Sequence, residues 1–101
     1  MPPLKNAIFK NKNYSLVKWL GQSEFRNLKE LNIGYQFIDS IEVLAFVDAP
    51  QLTVLRIDNN LITHMGGLIK SYFPRLEKLS MKLNPIMDIG QIYRMSHYLI
   101  T

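Results

Sequence analysis

Residues 52–68 read LTVLRIDNNLITHMGGL, and the spacing of the apolar residues in this stretch decides the fold. The frame is Leu-x-x-Leu-x-Leu-x-x-Asn-x-Ile-x-x-Ile-x-x-Leu, and it returns 24 residues earlier and 24 residues later without an insertion. The three copies are Leu28, Leu31, Ile33, Gln36, Ile38, Ile41, Leu44; Leu52, Leu55, Ile57, Asn60, Ile62, Met65, Leu68; and Leu76, Leu79, Met81, Asn84, Ile86, Ile89, Ile92. A weaker copy stands in front, at Leu4, Ala7, Phe9, Lys12, Tyr14, Val17 and Leu20. A fixed period of this size predicts an array of stacked structural units.

The first half of each unit predicts one short strand and a turn. Leu55-Arg56-Ile57 alternates apolar and polar residues, which is typical of a strand with one buried face. Asn60 and Asn84 follow at the turn, where a side-chain amide can both donate to and accept from the backbone of the neighbouring coil. We therefore expect a structural asparagine ladder. Gln36 and Lys12 break the asparagine pattern in this column, so the ladder should weaken toward the N-terminus.

The second half of each unit predicts a helix on the outer side. Spacings of three and four place one apolar stripe on such a helix. The stripe residues are Ile62, Met65, Leu68 and Ile69 in one unit, and Ile41, Leu44 and Ala45 in the unit before it. Phe46 and Val47 lie off this stripe and are expected to extend an apolar convex patch with Trp19, although a helical tryptophan is more often half-buried packing.

Proline and aromatic residues mark the return from helix to strand. Pro50 and Pro74 each stand two residues before the next frame leucine, where proline ends a helix. Phe25, Ala49 and Phe73 share the phase one residue earlier and are expected to stack inside.

The 24-residue frame, with its strand, turn and helix positions, resembles the repeat of the leucine-rich-repeat superfamily over essentially the whole chain. Asn84-Pro85-Ile86, then Ile92-Tyr93-Arg94, then His97-Tyr98-Leu99-Ile100 are similar to the C-terminal cap that closes spliceosomal and axonemal leucine-rich-repeat proteins. In such relatives the cap continues through a Pro-x-Leu-x-x-Leu-Asp strand, and this sequence stops at Thr101, before such a strand could finish. Ile100 shares the phase of Leu28, Leu52 and Leu76 and is expected to open it. A cap covers the apolar edge that the last coil of an array would otherwise expose to water.

The fold prediction is an α/β, right-handed leucine-rich-repeat solenoid of about four coils, with a parallel concave sheet and helices on the convex side. It forms a single domain over residues 1–101, with repeats at about 4–27, 28–51, 52–75 and 76–99, the last merging into the cap. No comparable cap precedes the first repeat. An exposed strand edge invites pairing with another chain, so the first repeat is expected either to dock on a partner or to belong to a longer array. Lys10 and Lys12 offer a simpler alternative, since lysines discourage edge pairing.

The concave face is the predicted partner-binding surface, as the resemblance also implies. The outward-pointing columns are Asn6, Glu30, Val54, Lys78; Ile8, Asn32, Arg56, Ser80; and Lys10, Gly34, Asp58, Lys82, followed by a turn column of Asn11, Tyr35, Asn59 and Leu83. From these we select as contacts Asn32, Tyr35, Arg56, Asp58 and Lys82. Tyrosine and arginine are enriched among residues that anchor interfaces. The alternative is that Arg56 and Asp58 merely pair across or along the sheet.

Residues typical of catalysis or cofactor binding do not form any recognised pattern. The chain has no cysteine, and neither His64 nor His97 has a second histidine at metal-ligand spacing, so we expect no metal, no cofactor and no catalytic residues. Gly66-Gly67 lacks the residues that make a phosphate-binding loop. No membrane span and no signal peptide are predicted, and we expect an intracellular protein of the cytoplasm or nucleus.

The sequence therefore predicts a non-catalytic protein–protein interaction module, a scaffold or small subunit of a larger intracellular complex. The alternative is a ribonucleoprotein component that contacts RNA and protein, which the spliceosomal resemblance and the net charge of +4 suggest. A small-molecule substrate is not expected, because short coils make a poor pocket.

Overall fold

In the described part of the chain, four short parallel strands form one continuous sheet. The computed structural model describes residues 6–8, 20–21, 23–65 and 69–88. Within these residues the strands are β1 (Asn6–Ile8), β2 (Glu30–Asn32), β3 (Val54–Arg56) and β4 (Lys78–Ser80), and their order in the sheet is their order in the sequence. Asn6 pairs with Glu30, Glu30 with Val54 and Val54 with Lys78, so the 24-residue period of the sequence is the register of the sheet.

Each strand has a buried aliphatic residue at its centre, which is an alanine in β1 and a leucine in β2, β3 and β4. Ala7, Leu31, Leu55 and Leu79 are the central residues, and all four are buried. Side chains on a strand alternate between faces, so the residues beside them project to the opposite, open face. Burial of each leucine stabilises the fold by about 1.5–3 kcal/mol relative to an exposed side chain.

The core is built of columns that repeat along the array. It contains Leu28, Leu52 and Leu76, then Ile33 and Ile57, then Ile38 and Ile62. The predicted inner column is confirmed, because Phe25, Ala49 and Phe73 are all buried.

The same tight turn returns the chain to the sheet in each described coil. The amides of Leu28, Leu52 and Leu76 donate to the carbonyls of Phe25, Ala49 and Phe73 at 3.0–3.1 Å. Pro50 and Pro74 occupy the second position of two of these turns, which is the position where the fixed φ of proline is favoured.

The helical segments are shorter than the sequence pattern predicts. Those whose bounds fall among the described residues are two 3₁₀ helices, Ser23–Asn27 and Ile41–Phe46, and one α-helix, Ile69–Tyr72, and Leu20 is also helical. Residues 61–65 form no helix, although Ile62 and Met65 are buried as the apolar pattern requires. The prediction that Ile62 and Met65 lie on the apolar stripe of a helix was therefore wrong about the helix, whereas their predicted burial is confirmed.

The second 3₁₀ helix also changes which side chains face the core. Ile41, Leu44 and Val47 are buried, whereas Ala45 and Phe46 are exposed. A 3₁₀ helix has three residues per turn, so side chains three apart share a face. The prediction that placed Ala45 inside and Val47 on the convex surface assumed the α-helical period, and it was wrong for both residues.

Several expectations fall on residues outside the described ranges. These are the roles of Trp19, Gly66-Gly67 and His97, the residues of the C-terminal cap after Asp88, and the lysines Lys10 and Lys12.

Candidate functional site

The open face of the sheet carries three aligned columns of side chains. Register places Glu30, Val54 and Lys78 side by side, and Asn32, Arg56 and Ser80 side by side. Gly34, Asp58 and Lys82 continue the pattern where the chain leaves each strand. Ser80 is the exception to the expectation of an exposed column, since it is 1% exposed.

Arg56 is paired across the sheet. Its Nε donates to Glu30 Oε1 at 2.8 Å, and both side chains are partly exposed. The pair links β2 to β3 on the open face. This is the cross-sheet pairing that the sequence left open beside a direct role in partner contact.

Asp58 binds the next coil rather than standing free. Its Oδ1 accepts hydrogen bonds from Ser80 Oγ at 2.7 Å and from the Lys82 amide at 2.6 Å. Both donors lie 22–24 residues further along the chain, so the carboxylate joins the two coils at the rim of the sheet. Asn32 acts within its own turn, where Oδ1 accepts from the Gly34 amide at 3.0 Å.

Asn60 and Asn84 lie at the exits of β3 and β4 and bond the coil before them. Asn60 Nδ2 donates to the carbonyls of Ile33, Ile57 and Asp58, while Oδ1 accepts from the amides of Gln36 and Ile38. Asn84 uses Nδ2 toward the carbonyls of Ile57, Met81 and Lys82, and its Oδ1 accepts from the Ile62 amide. These bonds hold the turns in position beneath the exposed edge.

Tyr35 and Lys82 are the two predicted contacts whose side chains remain uncommitted. Among the described residues, neither side chain has a hydrogen-bond or ion-pair partner, and both are exposed. They lie at neighbouring columns of the same rim, Tyr35 in the second coil and Lys82 in the fourth. A partner could therefore engage these two side chains without breaking a hydrogen bond or ion pair within the described ranges.

The sequence interpretation named Tyr35 and Leu83 in the turn column but missed the exposed apolar residues Phe37, Leu61 and Met87. We name as the turn edge the five residues Tyr35, Phe37, Leu61, Leu83 and Met87, each of which is largely exposed. Tyr35, Asn59 and Leu83 form one 24-residue column, and Phe37 and Leu61 belong to another. Large apolar residues at columns outside the buried frame were the signal that could have identified them.

The backbone at the turn edge is unusual for such side chains. Tyr35, Phe37, Asn59 and Leu83 have φ values of 62°, 56°, 56° and 59°. A side chain with a β-carbon raises the energy of this left-handed conformation by roughly 1–2 kcal/mol, and asparagine tolerates it better than most residues. Asn59 fits this preference, whereas Tyr35, Phe37 and Leu83 do not.

Within the described ranges, no group of three or more His, Cys, Asp or Glu side chains is arranged to hold a metal ion. His64 is exposed, and its Nδ1 lies 2.9 Å from Thr63 Oγ1.

In the part of the chain that the structure describes, none of the helices combines the length and apolar character needed to cross a membrane.

Comparison with known proteins gives one finding. A family model described as Leucine rich repeat matches residues 26–86. No curated protein and no solved structure matches the chain. The matched range contains β2, β3 and β4, the two asparagines Asn60 and Asn84, and all five residues predicted as partner contacts.

Proposed function

Because the chain belongs to the leucine rich repeat family, whose domains generally mediate protein–protein interactions, we propose that it is a non-catalytic scaffold or small subunit of a larger protein complex. A parallel array of this kind offers an extended surface formed by neighbouring coils. Family membership alone supports the general role, and the particular surface is argued from the side chains below.

The partner docks on the open face of the sheet at its rim. The observation that carries this assignment is the pair of exposed, uncommitted side chains, Tyr35 and Lys82, beside the hydrogen-bonded groups of Asn32, Arg56 and Asp58. A surface whose polar groups are already held by internal bonds needs little rearrangement on binding, which lowers the entropy cost of association. Tyrosine then supplies a large amphipathic contact.

A test of this assignment begins with isolation of the partner by affinity capture, followed by measurement of its Kd for single variants. We expect Tyr35→Ala and Lys82→Ala each to weaken binding by about fivefold or more, since anchors of this kind commonly contribute over 1 kcal/mol. Phe46→Ala and Arg75→Ala are the matched controls, because both residues are exposed but lie away from the rim. Equal affinity across all four variants would exclude this face as the docking site.

Salt dependence separates this proposal from a ribonucleoprotein role. Lys78 and Lys82 are exposed on the open face and have no ion-pair partner among the described residues, so they are the groups that would bind phosphates. Two phosphate contacts on a single strand would reduce the affinity about sevenfold between 50 and 200 mM salt. Binding to a protein partner through Tyr35 and its neighbours should change much less over this range. A steep slope that is lost in Lys78→Ala and Lys82→Ala would favour nucleic acid instead.

A further inference from the structure

The turn edge combines exposure with an unfavourable backbone conformation. The side chains of Phe37 and Leu83 are 83% and 77% exposed, and both residues have positive φ. Neither feature stabilises the folded chain: exposure gains no burial energy, and the left-handed region disfavours a β-carbon. Apolar side chains that contribute so little to folding and are grouped on one surface are typical of interaction sites.

The spacing of the coils along the turn edge is close to the rise of one turn of an α-helix, so each coil could contact one turn of a partner's helix. Adjacent coils are separated by about 4.8 Å, the spacing of neighbouring strands in a sheet. Along the array, the path from Phe37 in the second coil, past Leu61 in the third, to Leu83 in the fourth therefore advances about 10 Å. Leu83 is in the neighbouring column, so the path also shifts sideways over its last coil. An α-helix rises about 1.5 Å per residue, so side chains at positions i, i+4 and i+7 match this path.

The charges beside the turn edge differ between its two borders. Lys82 lies next to Leu83 on the border facing the sheet, and Lys78 lies further into that face. On the same face Glu30 is paired with Arg56, and Asp58 is hydrogen bonded to Ser80 and to the Lys82 amide, so among the described residues of this face the two lysines are the charges without an ion-pair or hydrogen-bond partner. Asp39, which is exposed, and Asp88, which follows Met87, stand after the turn-edge residues of their coils in the sequence, on the side away from the strands.

We propose that the turn edge binds an amphipathic helix of a protein partner, with an apolar stripe at i, i+4 and i+7 bordered on one side by acidic residues. The apolar stripe covers Phe37, Leu61 and Leu83, and the acidic border lies over Lys82 and Lys78. The side of the partner's helix that lies over Asp39 and Asp88 is uncharged or basic. This inference rests on the proposed protein-binding function, and it specifies the chemistry of the partner segment.

The probe is a fluorescently labelled helical peptide with leucines at i, i+4 and i+7 and glutamates along one border, titrated with the full chain by fluorescence anisotropy. We expect saturable binding that weakens about tenfold in Phe37→Asn and in Leu83→Asn. Asn59 occupies the same column as Leu83 at nearly the same φ, so Leu83→Asn is compatible with the local backbone. Circular dichroism verifies that both variants fold.

Matched controls identify the surface and the role of charge. Phe46→Asn removes an exposed aromatic residue from the second 3₁₀ helix and should leave peptide affinity within about twofold. Lys82→Glu should weaken binding, whereas Arg75→Glu should have a smaller effect. No binding to the wild-type chain, or equal affinities for the wild type, Phe37→Asn and Leu83→Asn, would overturn the inference. A dimer of the wild-type chain that Leu83→Asn dissociates would assign the edge to a second copy and also overturn it.

Failure of this inference is distinguishable from failure of the proposed function. If binding of the isolated partner depends on Tyr35 and Lys82 but not on Phe37 or Leu83, the open face remains the docking site and only the inference of a helix over Phe37, Leu61 and Leu83 fails. If none of these substitutions changes the affinity for that partner, the proposed docking face fails as well.

Discussion

Asn60 joins two coils through a buried side chain whose oxygen and nitrogen are both hydrogen bonded. Its side chain forms five hydrogen bonds to backbone groups, and the residue is 3% exposed. The bonds to Ile33, Gln36 and Ile38 reach the preceding coil. One amide therefore ties two coils together at the point where the chain leaves the sheet.

Replacing Asn60 with alanine should lower the free energy of unfolding by roughly 3 kcal/mol, because two backbone amides lose their acceptor in a buried site. Asn84→Ala should have a smaller effect, since Asn84 is half-buried and therefore easier for water to reach. Urea denaturation followed by circular dichroism measures both. Equal effects at the two positions would mean that burial does not determine the strength of the ladder.

At the scale of elements, the second 3₁₀ helix is held by its cap and by a face of three side chains. Ser40 Oγ accepts a hydrogen bond from the Glu42 amide at 3.2 Å and begins the helix. Ile41, Leu44 and Val47 then face the core at intervals of three residues. The period of three rather than 3.6 decides which residues of this segment carry stability.

Two conservative substitutions test that period. Val47→Ala should lower the free energy of unfolding by about 1.5–2 kcal/mol, because it removes two buried methyl-sized groups from a residue that is 7% exposed. Ala45→Ser should change it by less than about 0.5 kcal/mol, since Ala45 is on the surface. Thermal denaturation of both variants gives the comparison. A larger loss for Ala45→Ser would indicate that the segment is an ordinary α-helix in solution.

At the scale of the whole molecule, the coils are coupled at every boundary between the second and fourth strands. The Ile33 and Tyr35 amides donate to Arg56 and Asp58 carbonyls, and the Ile57 and Asn59 amides donate to Ser80 and Lys82 carbonyls. Leu55 lies in the central strand of this set, fully buried. Loss of packing at one coil should therefore be felt at both of its boundaries.

Hydrogen exchange can test this coupling. Leu55→Ala should cost roughly 3 kcal/mol, which corresponds to a loss of about a hundredfold in amide protection. We expect the Ile33 and Ile57 amides, on opposite sides of the third coil, to lose protection by the same factor because they exchange through one cooperative unfolding event. A loss confined to one of the two amides would show that the coils open independently.

The sequence by itself determined the array and its register. The 24-residue spacing of Leu31, Leu55 and Leu79 predicted which residues lie side by side in the sheet, because each coil must bury the same apolar face against the next. The buried column of Phe25, Ala49 and Phe73 followed from the same period. Such features depend on periodicity alone, and periodicity is visible in a sequence.

Tertiary structure alone decided the helix types and the exposed edge. Residues 61–65 are not helical, and Val47 is buried in place of Ala45. The sequence does not reveal either feature, because a pattern of threes and fours does not distinguish a 3₁₀ from an α-helix. The left-handed backbone at Tyr35 and Leu83 recurs at Asn59 in the same 24-residue column, so it belongs to the turn that the coils share, against the preference of Tyr35 and Leu83. At Phe37 the same conformation is not repeated at Leu61 in the next coil. The side-chain partners of Arg56 and Asp58 likewise lie 22–26 residues away in the sequence. Only the stacking of the coils brings these side chains together.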